Sequence, residues 1–375
     1  MPLTPDAVPP LPPPNPYMTA ECSACGSLLR ECVCYGSRSP RFTDYSAPVT
    51  FQGDPSPRFP RYVGVEIECG TPRHMDLSLA PVHHMMRATH AQLHSDMSIH
   101  GFGHGLEVVT APSRGVKAEE NIRAACQALQ AVNASVNESC GLHVHVDARD
   151  YTEADMVRFA TLYSRIEKTL YSVVSRSRRG GGRSSNDFGQ PWGPSLVAGG
   201  VDDSSLTLSE RYAAFQVNTY GSVQEAEHYK RSKTKHGSRY HGVSFNAYDI
   251  RGTLEFRLHH GTVNARKATM WSAVCSALVQ WVKDHTDAEL DALRGTPAEI
   301  LEKILTDREV ARWVRIRRRF FEDKDRARRG LPPRRAARPA VAPEPALPAE
   351  EAPESAEEIG EVRNAGVRPG RRMSY

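Results

Sequence analysis

The sequence predicts an α+β fold: a curved, mostly antiparallel sheet with helices on its outer face and the other face open to ligand. Strict alternation in Ser139-Cys-Gly-Leu-His-Val-His-Val-Asp147 is the first reason. A strand there sends His143, His145 and Asp147 to one side and Leu142, Val144 and Val146 to the other. The second is that the device recurs. Tyr62–Glu68 sets Val63, Val65 and Ile67 against Glu66 and Glu68, and Gly105–Thr110 sets Leu106 and Val108 against Glu107. Thr253–His259 sets Leu254, Phe256 and Leu258 against Glu255, Arg257 and His259. Amphipathic helical stretches between these strands supply the cover for the apolar side.

Taken in order, residues 1 to 20 are too rich in proline for helix or sheet and read as a flexible arm. Cys22, Cys25, Cys32 and Cys34 follow in the spacing C-x2-C-x6-C-x-C. Four thiolates suit tetrahedral zinc in a closed, structural site, and a segment this short, 21–36, has no core without the metal. Two disulfides are the alternative, disfavoured in a reducing compartment. Residues 37–60 read as a linker and 61–329 as the catalytic domain. Leu77–Leu93 reads as a helix with His83, His84, His90 and His94 in or beside it, either a metal site or ordinary surface histidines. His94–Ile99 reads as a short strand or turn.

Glu119–Val136 is an amphipathic helix in which Ile122, Ala125, Cys126, Leu129, Val132 and Val136 share a face, with Cys126 as a small apolar residue. Thr152 opens a second helix with Glu153 and Asp155 in its first turn and a stripe from Met156 through Phe159, Tyr163, Ile166 and Leu170 to Val173. The basic, glycine-rich stretch 176–200 is either a phosphate cradle or a solvated loop. A second basic run, Lys230–Arg239, leads into Tyr240–Asn246, which reads as a strand. Asn264 caps a core helix carrying Trp271, Val274, Cys275, Leu278 and Val282. Asp307–Phe321 interleaves Val310, Trp313, Val314 and Phe321 with arginines, either a surface for nucleic acid or membrane or, as expected, an amphipathic helix closing the domain with its arginines in water. Residues 330–375, rich in Pro, Ala, Arg and Glu, read as a disordered tail.

No run approaches the roughly 18 consecutive apolar residues that would span a bilayer, so the expectation is a soluble, cytoplasmic protein that does not engage a membrane. The 48 Lys and Arg are nearly balanced by 44 Asp and Glu, a net charge of +4, so nucleic acid is not an expected partner. Protein partners, if any, would be met by the terminal segments.

Carboxylates, imidazoles and a guanidinium recurring on one face of four distant strands form an active-site pattern, and three readings compete. Phosphoryl transfer is mostly positioning and charge neutralisation, which carboxylates for metal and cations for phosphate provide. His143-Val-His-Val-Asp147 is also the H-x-H-x-D pattern of metal-dependent hydrolases, though here it follows two carboxylate-bearing strands. A non-enzymatic zinc and basic-tail adaptor leaves the Glu66, Glu68 and Glu255 alternation without a role.

The ordered set Gly64-Val-Glu-Ile-Glu68, Gly105-Leu-Glu-Val-Val-Thr110, Ser139-Cys-Gly-Leu-His-Val-His-Val146 and Thr253-Leu-Glu-Phe-Arg257 resembles the amidoligase family. That family is related to glutamine synthetase and glutamate–cysteine ligase. The resemblance implies the carboxylate–amine ligase fold and ATP-dependent joining of a carboxylate to an amine through an acyl phosphate, acting on small-molecule or peptide substrates. It implies that Glu66, Glu68, Glu107 and Glu255 hold Mg2+ and that His143 or His145 orients phosphate or substrate. Arg257 would neutralise the transferred phosphoryl group, with Arg239 as a further phosphate contact.

Reductively purified protein should carry about one zinc ion per chain, as four thiolates closing a single tetrahedral site require. Elemental analysis of wild type and Cys22→Ser decides this. A content near zero in both would remove the zinc assignment.

Overall fold

The computed structural model describes residues 49–71, 80–179 and 189–332. The four cysteines Cys22, Cys25, Cys32 and Cys34, the arm before them and the tail beyond residue 332 lie outside the described residues, as does 180–188 of the basic loop. Six strands form one sheet: β1 (Val63–Thr71), β2 (Gln92–Ser95), β3 (His104–Val109), β4 (Gly141–Asp147), β5 (Val243–Ser244) and β6 (Thr253–His260). Their order is β2-β3-β1-β4-β6-β5, and every neighbouring pair is antiparallel. The sheet is therefore the antiparallel layer of an α+β fold, with β1 and β4 at its centre.

The apolar side follows the alternation. Val63, Val65, Ile67, Leu142, Val144, Val146, Leu254 and Phe256 are all buried, and helices cover them. The helices are α1 (Ala80–Thr89), α2 (Gly115–Ala131), α3 (Glu153–Ser172), α4 (Leu208–Tyr220), α5 (Val223–Ser232), α6 (Asn246–Arg251), α7 (Ala265–Asp284), α8 (Asp287–Ala292), α9 (Pro297–Ile304) and α10 (Arg308–Arg328). Helix α7 runs beneath the sheet, touching β1, β4 and β6 and flanked by α2 and α3, with Trp271 fully buried. Local chemistry fixes the helix starts: Thr152 and Asp155 form a capping box on α3, and the side chains of Asn264 and Asp307 accept from the first turns of α7 and α10.

Several segments differ from their sequence reading, each for a physical reason. Residues 49–60, read as linker, pack on the domain. Gln52 bonds Pro112 and Arg114 through the backbone, Phe59 is buried, and Arg58 reaches Asp307 at 2.8 Å and Glu309 at 2.7 Å at the start of α10. The helix read over Glu119–Val136 starts at Gly115 and stops at Ala131, because Asn133 adopts a left-handed conformation (φ 53°) that ends it before Val136. Of Tyr240–Asn246 only Val243 and Ser244 pair as strand. Asn246 begins α6, which Gly252 (φ 69°) terminates.

Two polar side chains sit on the apolar side. The β4–β6 register shifts between Leu142 and Val144, which pair with His259 and Phe256, so β6 carries one extra residue. The bulge inverts the alternation beyond it, and His259 lies fully buried with its ring 5.2 Å from Trp271 instead of joining Glu255 and Arg257. On α10, Arg317 falls in the stripe of Val310, Trp313, Val314 and Phe321 and is buried, its guanidinium 4.5 Å from the Phe321 ring.

Leu142 is fully buried on the central strand. Leu142→Ala should cost about 2–5 kcal/mol of unfolding free energy, the range for deleting a well-packed aliphatic side chain. Urea titration measures it, and a loss below about 1 kcal/mol would mean that β4 does not face the core as described.

Candidate active site

Residues directly opposite in an antiparallel pair share a face, so the register decides which functional groups meet. Glu68 of β1 faces Glu107 of β3, Glu66 of β1 faces His143 of β4, and His145 of β4 faces Glu255 of β6. Four strands thus bring six side chains into one row on the polar face. His143 Nδ1 stands 3.2 Å from Glu66 and 3.9 Å from Glu255, while its Nε2 is 3.6 Å from Glu68. His145 Nε2 stands 3.1 Å from Glu66 and 3.8 Å from Glu255, and its Nδ1 lies 2.9 Å from the Thr253 hydroxyl.

Among the described residues, two groups could hold a metal ion: Glu66, His145 and Glu255, and Glu66, Glu107 and His143. Glu66 belongs to both. Glu68 falls in neither; its carboxylate accepts from the Gly141 backbone N–H and faces the His143 ring. Gly141 is glycine for a steric reason. A Cβ there would lie 2.6 Å from His143 Nε2 and 3.1 Å from Glu68 Oε2, so a side chain would push the site apart.

The electrostatics follow from packing these charges under partial cover. Burial opposes ionisation of Glu66, but His145 and His143 outweigh it and hold its carboxyl well below the usual range. Glu255 is likewise drawn down against burial, by the paired Arg257 and by His145. His145, disfavoured as a cation by burial, is raised by Glu66 and Glu255. Glu107 goes the other way: burial, then the charges of Glu66 and Glu68, push it up to about 9. The row carries more negative charge than its own histidines neutralise.

Cations line one side of this row. A cleft of about 480 Å³ opens over it, lined by Arg178, Lys235, Arg239, Arg251 and Arg257 together with the carboxylates. The expected Arg239 and Arg257 are both there. Arg178, Lys235 and Arg251 were not singled out by sequence. Arg178 belongs to the basic loop and lies buried, bonded to the Cys140 carbonyl at the foot of β4. Arg251 closes α6, with Nη1 3.6 Å from Glu66. Asn246 holds the basic run in place through the His236 N–H (2.9 Å) and the Thr234 carbonyl (3.2 Å). The sequence signals for this wall were the basic, glycine-rich stretch that holds Arg178, the basic run ahead of a short strand, and Arg257 on its own strand.

A second cleft of about 470 Å³ lies across Glu66 and Glu107 from the first, with Phe51, Tyr62, Val109, Ala111 and Pro112 among its walls and His90 and His94 at one side. Asp147, third residue of the H-x-H-x-D pattern, also lines this cleft. It grips Arg149 through two bonds of 2.8 and 2.9 Å and joins neither metal-capable group. His83 and His84 sit on α1 and belong to neither group.

With no cation bound, the folded state keeps on Glu107 a proton that the unfolded chain, with its ordinary carboxylate, has released. Stability should therefore fall as pH rises from the ordinary glutamate range towards about 9. Glu107→Gln should flatten this slope, measured by chemical denaturation at a series of pH values. A divalent cation should raise the melting temperature of the wild type, and Glu66→Gln, which removes a member of both groups, should abolish that shift. A Glu66→Gln protein stabilised as much as wild type would place the cation elsewhere.

No curated protein is a sequence match to the chain. Among solved structures, the crystal structure of a bifunctional glutathione synthetase from Pasteurella multocida is loosely similar, with a TM-score of 0.37 and 14% identity over 73% of this chain and 50% of that one. The chain thus spans half the length of that enzyme. The family model described as "Putative amidoligase enzyme" matches residues 86–279, taking in Glu107, His143, His145, Glu255 and Arg257 and starting after β1. That match covers just over half of the 375 residues, and the chain belongs to the amidoligase family.

Proposed function

We propose that this amidoligase joins a carboxylate to an amine at the expense of ATP, through an acyl phosphate. The observation that carries the reading is the juxtaposition of two carboxylate–imidazole groups sharing Glu66 with a cleft walled by five cationic side chains. In such a reaction a carboxylate oxygen attacks the γ-phosphorus and ADP leaves. The amine nitrogen then attacks the acyl carbon, inorganic phosphate leaves, and the nitrogen gives up a proton. The protein's share of this work is to hold anions together and neutralise charge as it moves.

Donor sets of two carboxylates and one imidazole, rich in oxygen, fit Mg2+ or Mn2+. Glu66, Glu107 and Glu255 with His143 and His145 would hold the ions, and Glu68 would support them from the side by fixing Gly141 and facing His143. Bound there, the metal would screen the charge of the nucleotide phosphates. Arg257, paired with Glu255 and kept protonated against burial by Glu255 and Glu66, would neutralise the transferred phosphoryl group. Arg178, Arg239, Lys235 and Arg251 would receive the remaining phosphate and carboxylate charge. The fold assignment that goes with this reading is the carboxylate–amine ligase fold of glutamine synthetase, which carries similar Gly-x-His-x-His and Glu-x-Arg strands. Cytoplasmic location, where ATP is abundant, belongs to the same proposal. Among the described residues no helix is long and apolar enough to cross a membrane.

Glu255→Gln and Arg257→Ala should each lower turnover by about a hundredfold or more, the scale for preorganised electrostatic groups. Glu255→Gln should also weaken Mg2+ dependence, whereas Arg257→Ala should retain metal binding. ADP release with paired carboxylates and amines, alongside calorimetric titration of Mg–ATP, measures both. A wild-type protein that binds no Mg–ATP but cleaves amides or esters with zinc at His143 and His145 would reverse the assignment in favour of hydrolysis.

A further inference from the structure

The first cleft accounts for the anionic reactants and leaves the second without a role. The two share Glu66, Glu107 and Arg251 as a common ridge, so a molecule in the second cleft ends at the same carboxylates as one in the first. Their walls differ in kind. Instead of a ring of cations, the second presents Val109, the cross-strand neighbour of Glu66, together with Phe51, Ala111 and Pro112. Phe51 is half exposed, held by the Tyr62 ring at 5.0 Å and by Arg149 stacked on it at 4.4 Å. The cations at its rim are engaged: Arg149 by both oxygens of Asp147, and Arg251 with Glu66. Among the described residues, an incoming carboxylate would have to compete with Asp147 or Glu66 for either arginine. An amine finds carboxylates at the inner end, and an apolar body finds a wall to lie on.

We propose that the second cleft is the entry and binding site of the amine substrate, a primary amine carrying an aromatic or bulky apolar group. The nitrogen points to the Glu66–Glu107 ridge and the apolar group packs between Phe51, Val109 and Pro112. A volume near 470 Å³ accommodates a small-molecule amine or the end of a peptide chain, and is far more than ammonia needs. The assignment rests on the ligase reading for its purpose and on the cleft's own chemistry for its ligand.

Calorimetric titration of full-length protein with phenethylamine and with methylamine tests it, each with and without Mg–ATP. Phenethylamine should bind at least about tenfold more tightly than methylamine, the contribution of a buried ring to affinity being well above one methylene. Val109→Trp, which fills the cleft without adding charge, should weaken phenethylamine binding by about tenfold or more and leave Mg–ATP binding at the wild-type level. If Val109→Trp does not fold, Phe51→Ala, at a half-exposed position, should weaken phenethylamine binding severalfold in the same way. Equal affinity for the two amines, or phenethylamine binding that neither variant changes, would overturn the proposal. Phenethylamine binding that the variants abolish, in a protein that binds no Mg–ATP, would uphold the amine site while removing the ligase reading.

Discussion

Carboxylates brought within reach of one another under partial cover repel, and the rest of this site is arranged around that repulsion. Two like charges about 4 Å apart cost about 4 kcal/mol at the effective dielectric of a protein surface. Here Glu66, Glu68, Glu107 and Glu255 share one face of one sheet. His143 and His145 stand between them, Arg257 binds Glu255, and Arg251 approaches Glu66, yet burial and the charges of Glu66 and Glu68 still push Glu107 up to about 9. Glu66 sits at the middle of this crowding, common to both groups that could hold a metal ion.

Such an arrangement needs a rigid frame, and the helical layer supplies it. Leu142, Val144 and Val146 lock β4 onto α7, fixing His143 and His145, which alternate with them. A strand slipped by one residue would turn both imidazoles into the core and the valines into the cleft, so burial of one face specifies the chemistry of the other. Gly141 completes the frame by letting Glu68, His143 and Arg178 converge where any side chain would intrude.

Apart from Arg257 on β6, the cations enter from outside the four motif strands. Arg178 comes from the end of the α3 segment, Lys235 and Arg239 from the run before β5, and Arg251 from α6, so most of the wall of the first cleft is a property of connections. The second cleft is walled in part by Val49, Phe51 and 110–112, in segments joined by the backbone bonds of Gln52 to Pro112 and Arg114 beyond the end of β3. A largely cationic cleft and a largely apolar one thereby meet at one carboxylate ridge.

The sequence by itself determined the class of the fold, the two faces of its four main strands and the identity of most of the charged row. Alternation of period two is a local property, and Val63, Val65 and Ile67 against Glu66 and Glu68 need no knowledge of what lies across the sheet. The caps of α3, α7 and α10 were equally legible, because Thr152, Asn264 and Asp307 act on backbone groups within their own first turns. What depends on residues far apart was not legible. The one-residue bulge that turns His259 into the core is set by how β6 pairs with β4, and Arg317 is buried because aromatic rings of its own helix meet the domain there. The docking of 49–60 needed partners at Pro112, Asp307 and Glu309. Only tertiary structure decided that Glu66 serves two metal-capable groups, that Arg178 leaves its basic loop for the site, and that a second, apolar cleft ends on the same carboxylates. Each of these depends on distances across strands and connections, which no spacing along the chain encodes.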